Sequence, residues 1–290
     1  MKTKKSLFLF CIFSLIISCN VNQENKNEFS YFSEQFADLK VLRYQIPGFD
    51  NLSLDQKKLV YYLTEAGLSG RDIMYDQNYR HNLKIRRALE NIYLNYNGDK
   101  NDKRWESFKI YLKRIWFSNG IHHHYSNDKF DPDFSAEYLK NLMDETNTKL
   151  NDEVFDLIFN DVDSKKVNKN KSKGIVLGSS VNFYGSDVTE EDVDNFYNNI
   201  KVPDSNKPIS LGLNSKLVKE DGVLKEKVWK KGGMYSESIE KIIDNLELAK
   251  NYAENKKQAD ALDLLVKYYE TGDLKIWDDY NVAWVETTDG

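Results

Sequence analysis

Cysteine is almost missing from this chain of 290 residues: there are two, Cys11 and Cys19. Both fall in the first nineteen positions, so the body of the chain has neither a disulfide framework nor a thiolate metal site. Histidine occurs four times, proline 4 times and glycine 14 times. So few breakers point to long regular elements, mostly helices. Several catalytic signatures are also lacking: there is no H-E-x-x-H, no G-x-S-x-G, no Walker loop and no G-x-G-x-x-G. Gly178-Ser-Ser180 lacks the flanking glycines of a nucleophile elbow. Nor does one sign of charge dominate. The 41 basic and 46 acidic residues interleave to a net −5, which excludes the electrostatic footprint of a nucleic-acid partner.

What is present describes a folded protein. The chain is 40% hydrophobic and 30% charged, with 18 Tyr, 15 Phe and 5 Trp, and is long enough for one large domain or two ordinary ones. Its start is different. Lys2, Lys4 and Lys5 precede an apolar run, Ser6 to Ile17, that is too short for an ordinary membrane span. Ile16-Ile17-Ser18-Cys19 resembles the lipobox of bacterial lipoproteins, with an ordinary secretory signal as the alternative. The lipobox reading makes 1–18 a signal peptide, Cys19 the lipid-attachment residue and 19–28 a polar tether. It places the protein in the bacterial cell envelope as a membrane-anchored lipoprotein, periplasmic or surface-facing.

Val41 to Ile46 reads as a strand closed by Pro47-Gly48. Ser53-Leu-Asp-Gln56 has capping-box form and opens a helix ending near Gly67 to Gly70. A second helix carries Ile85, Leu89 and Ile92 and stops at Asn97-Gly98; a third carries Trp105, Phe108, Leu112 and Ile115 and ends at Gly120. These three helices are expected to pack together. Ser135 caps a helix with Tyr138, Leu139, Leu142 and Met143, and Val154 to Phe159 marks a shorter one. Residues 161–173 are lysine-rich and apolar-poor, a solvated loop separating a helical part (29–160) from a second part (174–290). There Ile175 to Tyr184 is β-like, Thr189 opens a helix, and Asp221-Gly222 supplies the turn of a hairpin. Helices follow from Tyr235 and Asn255, then a turn-rich stretch with Trp277 and Trp284. The fold class is α+β: mostly helical with a small β-barrel or sheet.

Three of the four histidines stand together in Gly120 to Phe130, GIHHHYSNDKF. In an extended segment His122 and His124 point the same way and could offer two imidazoles to one Zn²⁺. A solvated hydrogen-bonding surface needs no third ligand and is the preferred reading. Arg71-Asp72 and Asp76 are read as structural ion pairs before a substrate clamp.

Three stretches together are similar to the N-terminal half of dipeptidyl peptidase III, a zinc exopeptidase family, in its Bacteroidetes lipoprotein form. They are Leu42 to Arg71 (LRYQIPGFDNLSLDQKKLVYYLTEAGLSGR), Trp116 to Phe130 with IHHHYSNDKF, and Asn182 to Trp284 with NFYGSDVTEEDVDNF and the LNSKLVKEDG hairpin. The resemblance implies a lower lobe, partly helical around a small β-barrel, forming one wall of a peptide cleft. It implies a zinc cofactor in the full-length enzyme, held by an H-E-x-x-x-H helix and an E-E-C-R-A-E-like helix of the C-terminal half. Neither motif occurs here. No catalytic residue and no metal ligand therefore transfers to this chain, which is expected to bind no zinc itself and to be an inactive fragment truncated before its catalytic lobe. Tyr125, Ser126 and Asn127 become peptide-contact candidates, against a turn that merely caps the preceding helix. The implied partners are a peptide substrate, the missing C-terminal lobe and the membrane. The rival is a non-catalytic peptide- or glycan-binding surface lipoprotein complete at Gly290.

Overall fold

The computed structural model describes residues 29–160, 166–170, 172, 174–201, 204 and 206–288. The signal segment, the tether and Cys19 lie outside the described residues, as does much of the lysine-rich loop. The chain divides into two compact units, Met1–Pro47 and Gly48–Gly290.

In the first unit, β1 (Phe32–Phe36) pairs antiparallel with β2 (Leu39–Leu42). Ala37 makes the turn at φ 49°, and the Arg43 guanidinium donates to the Ser30 carbonyl at 3.0 Å. The expected strand at Val41 to Ile46 thus starts and ends earlier, and its partner was not anticipated.

The second unit begins with α1 (Leu54–Ser69), and Ser53 caps it as the sequence requires. Its hydroxyl accepts from the Gln56 amide at 3.1 Å, while the Gln56 side chain accepts from the Ser53 amide at 2.8 Å. After Gly70 the chain enters α2 (Arg71–Asn78), a helix the sequence did not announce, then α3 (Asn82–Asn95) and α4 (Lys103–Ser118). α3 stops before Asn97-Gly98, because Tyr96 is extended and its ring folds over Gly98; a Cβ on that glycine would lie 2.4 Å from the Tyr96 hydroxyl. α5 (Ala136–Glu145) starts at its Ser135 cap, and α6 (Asp152–Phe159) follows.

Ile175 to Tyr184 is not a strand. Ile175–Gly178 forms one helical turn, α7, and the amides of Ser180 and Val181 both donate to the Lys166 carbonyl. Only Tyr184 bridges to Leu217, in parallel. With its amides spent on loops, the segment has no ladder to join. α8 (Glu190–Asn198) carries a second capping box, from Thr189 and Asp192. The hairpin of β3 (Ser215–Glu220) and β4 (Val223–Val228) turns at Asp221 and Gly222, with φ of 52° and 78°. Both left-handed values are those of a type I′ turn. The small sheet is therefore present, as two separate two-stranded ladders; among the described residues no strands close into a barrel.

Three helices complete the unit: α9 (Ser236–Lys250), α10 (Lys256–Thr271) and α11 (Leu274–Val285). The stretch expected to be turn-rich is thus helix. Gly272, at φ 70°, ends α10, and Asp273 at once caps α11 by accepting from the Lys275 amide. Breaker residues sit between the two helices, not within a loop.

Two cores hold the second unit. One gathers Ile85, Leu89, Phe108, Leu112, Leu139 and Ile158 from α3 to α6. The other joins Leu59 and Ala66 of α1 to Ile239, Ile242, Leu246 and Leu262 of α9 and α10. The expected packing of α1 with α3 and α4 is corrected here. The apolar stripe of α1 is buried against helices nearly two hundred residues away in sequence, a pairing that helical spacing cannot reveal. α2 serves both cores, with Tyr75 in the first and Ile73 against the second.

Candidate functional site

The histidine loop is built on its neighbours' amides. α4 ends at Asn119, left-handed at φ 53°, and Gly120 follows at φ 150°. Buried Asn82, at the start of α3, accepts from the Ile121 amide at 3.0 Å and donates to the Asn119 carbonyl at 3.2 Å. Only glycine fits beside it, since a Cβ at 120 would stand 2.0 Å from the Asn82 amide nitrogen. From there the loop doubles back. Phe130 donates to the Ile121 carbonyl and His123 to the Asp128 carbonyl, both at 2.8 Å, and His122 bridges antiparallel to Lys129.

The three sequence-predicted contact residues stand together at the tip, but their side chains differ in what they have left to offer. Ser126 donates to Asp128 at 2.8 Å. Asn127 exchanges two hydrogen bonds with the backbone of Val167, at 3.1 and 3.2 Å. Tyr125 is 89% exposed and presents its ring to solvent. The tip is therefore a braced platform with one aromatic face.

His122 and His124 do not share a face. The buried His122 ring meets Tyr79 edge-on at 4.9 Å, whereas His124 packs against Phe117 at 5.2 Å and stacks on His123 at 4.4 Å. Among the described residues, no three His, Cys, Asp or Glu side chains are grouped to hold a metal ion. The loop's hydrogen bonds break the alternation on which the two-imidazole geometry depended.

Behind the loop lies a polar cleft of about 440 Å³, lined by residues that include Arg80, His81, Glu153, Asp156 and Ser180. Arg80 fixes one side: its amide donates to the Ser180 carbonyl at 3.0 Å and its guanidinium to the Ser179 carbonyl at 2.7 Å. Burial pushes the His81 imidazole below its ordinary range, and Arg80 pushes it further. Sequence reasoning passed over this cleft. Its residues come from three separate segments, and the only cue, an isolated His81 before a helix, carries no motif.

Residues 165–289 match the family model described as Peptidase family M49. Over that segment the chain is similar to the M49 peptidases. Its fold is similar to the structure of DPP III from Caldithrix abyssi, at 18% identity and a TM-score of 0.52, covering 85% of this chain and 35% of that one. The structure of dipeptidyl-peptidase III from Corallococcus sp. strain EGB gives 13% identity and a TM-score of 0.52, covering 83% and 34%. The chain thus spans about a third of the length of these solved structures, and at such identities the likeness is one of fold. No curated protein matches it.

The M49 segment contributes three members of a polar cluster that ties it to α2. Asp76 accepts from the Tyr235 hydroxyl at 2.5 Å and from the Asn182 amide at 2.7 Å, and Lys216 donates to Asn182 at 2.5 Å. Tyr235 reaches Asp76 from a left-handed backbone, φ 63°. Burial, then the Asp76 carboxylate, holds its phenol well above the usual range, so it stays a donor. Asp72 is paired as well, but with Arg86 and Arg87, each at 2.7 Å, and not with Arg71 beside it. Of the ion pairs read from the sequence, Asp72 thus forms a structural one with the next helix, whereas Asp76 is held by neutral donors. What this arrangement offers is a braced scaffold, an exposed aromatic tip and a polar cleft.

Proposed function

We propose that this chain is the lower-lobe part of a zinc-dependent dipeptidyl peptidase that releases dipeptides from peptide N-termini, and that by itself it is inactive. The observation that carries this reading is the M49 match across the hairpin and the following helices, on a fold that aligns with DPP III over 85% of this chain and only a third of theirs. The described residues do not fit a zinc site, because the two nearest candidates, His122 and His124, pack against different neighbours. Zinc would be held by residues outside this chain, where it would polarise a carbonyl and activate water. This chain's own part is to bind: Tyr125, Ser126 and Asn127 form the peptide-facing tip, with 29–160 and 174–290 as the two parts of the lobe.

The test is to express the reading frame through and beyond codon 290 and to assay dipeptidyl-naphthylamide hydrolysis. A longer product carrying H-E-x-x-x-H should hydrolyse the substrate and lose activity to a chelator, while the 290-residue chain should show none. Turnover by the 290-residue chain alone would sink the proposal. A stop codon after Gly290, with peptide or glycan binding by the chain, would favour the binding-lipoprotein reading. In the active longer protein, Tyr125→Ala should raise KM several-fold with little change in kcat, since an exposed ring contributes little to folding.

We further propose that the chain is anchored in the cell envelope through an acylated Cys19. The support is the run from Lys2 to Cys19; no described helix is long and apolar enough to cross a membrane. Metabolic labelling with a radioactive fatty acid should mark the protein and fail with Cys19→Ala. Equal labelling of both would refute the assignment.

A further inference from the structure

A second cleft, of about 440 Å³, lies between α3 and the turn that joins α5 to α6. The spacing of α3 builds one wall: Lys84, Arg87 and Asn91 recur three and four residues apart and so share a face. Ala88 stands among them with only a methyl group, which leaves room beside the longer side chains. The turn from Asn147 to Asn151 builds the other wall, and Asn147 bends it from a left-handed backbone, φ 50°. Asn91 clamps the two walls together, its amide donating to the Thr148 hydroxyl at 2.8 Å and to the Thr146 carbonyl at 3.4 Å.

Charge sets this cleft apart. Lys84, Arg87 and Lys149 all line it and all are exposed, so a solute can reach them, and no described lining residue is Asp or Glu. The chain as a whole carries −5, so three cations around one concave surface run against its background. A cleft lined by one sign of charge focuses its field and concentrates the opposite ion. Arg87 is partly answered from outside the lining, by Asp72 at 2.7 Å. Lys84 and Lys149 have no carboxylate within ion-pair distance among the described residues. Two uncompensated positive charges fit a dianion, and a phosphate monoester carries about −1.5 to −2 at pH 7. The rest of the lining describes the body that bears it: exposed Asn147 and Asn151 amides and no aromatic ring, which suits hydroxyl groups and not an apolar face. The size lies within the roughly 300–1,000 Å³ of small-molecule sites.

We propose that this cleft binds a phosphate monoester of a small hydroxylated molecule, a sugar phosphate by chemical class, with Lys84, Arg87 and Lys149 on the phosphate and the Asn147 and Asn151 amides on the hydroxyls. The site is separate from the histidine loop and does not depend on the peptidase reading.

Titration calorimetry of the 290-residue chain with glucose 6-phosphate should show saturable one-to-one binding that weakens as salt is added. Glucose should give no binding heat, and glucose 6-sulfate, of the same shape but with a single negative charge, should bind several-fold more weakly. Inorganic phosphate should also bind more weakly, since it leaves the amides unfilled. Lys84→Gln and Lys149→Gln should each lower the affinity roughly tenfold, the loss of one charge-assisted hydrogen bond. Both side chains are exposed, so the circular dichroism should not change. Lys241→Gln, which removes an exposed charge on α9, should leave the affinity as it was. Failure of glucose 6-phosphate to bind, undiminished affinity in Lys84→Gln and Lys149→Gln, or an equal loss in Lys241→Gln would overturn the proposal. Equal affinity for the sulfate ester would overturn the dianion, and equal affinity for inorganic phosphate would overturn the ester in favour of the free ion.

Discussion

Asn82 is buried with both ends of its amide engaged on the loop that follows α4, accepting from Ile121 and donating to Asn119. Replacing it with alanine leaves the Ile121 N–H without its acceptor, a loss of about 1–3 kcal/mol. Gly120→Ala should cost at least about 2 kcal/mol, since it combines a rare backbone conformation with a collision against Asn82. Urea unfolding of the two variants measures both. His81 makes a pH prediction. Burial and then Arg80 lower its pKa from 6.5 in the folded chain. The unfolded chain therefore takes up a proton at a pH where the folded chain does not. The contribution of His81 is full above that ordinary value and is lost as the pH falls below it toward the folded pKa. Stability measured between about pH 5 and 7 should decline toward the acid side, and His81→Gln should flatten that decline. An unchanged slope would mean that His81 is not its source. At this scale the candidate residues Tyr125 to Asn127 were legible as a loop following a helix end. That Ser126 and Asn127 are already committed to Asp128 and Val167 was not, because Val167 lies forty positions away.

Among elements, the β3–β4 hairpin was the easiest to read. Asp221-Gly222 is flanked by β-forming residues, and the turn type follows from local backbone sterics alone. Gly222 stands at φ 78° with open space around it, so Gly222→Ala tests backbone strain without a clash. The expected loss is about 1 kcal/mol, whereas Asp221→Gly should be nearly neutral; thermal unfolding distinguishes them. The capped helices were legible for the same reason, since Ser53, Ser135 and Thr189 act within three residues of themselves. α2 and α11 were missed. Each follows directly on a glycine at the end of another helix, where punctuation that normally marks a loop instead marks a change of direction. Ile175 to Tyr184 was misread the other way, because β-branched and aromatic residues make a strand only when a ladder is there to receive them.

At the scale of the whole molecule, the Asp76 cluster links the two cores of the second unit. Asp76 belongs to α2, which touches both cores, while Tyr235 precedes α9 of the second core and the Asn182 amide donates to Asp76 from the segment before β3. Asp76→Ala would leave the part-buried Tyr235 hydroxyl and Asn182 amide without their acceptor, a cost of about 1–3 kcal/mol. Hydrogen exchange should then quicken in α2 and at the start of α9 together. If only α2 loosened, the cluster would be a local brace and not a link between cores. Tyr235→Phe removes one of the two donors and should cause a smaller loss of the same pattern.

The sequence by itself determined what short-range physics controls: the helix caps, the hairpin turn, the apolar stripes and the scarcity of cysteine in the body of the chain. Those features depend on residues within a few positions of one another, and they carried the α+β reading; the resemblance to dipeptidyl peptidase III rested on the three stretches quoted for it. Only the tertiary structure decided that α1 packs on α9, that His122 and His124 face different neighbours, and that Asp76 gathers Tyr235 and Asn182. Each of these brings together atoms far apart in the chain, and the side chain that meets a given residue is settled by packing, which local periodicity does not encode.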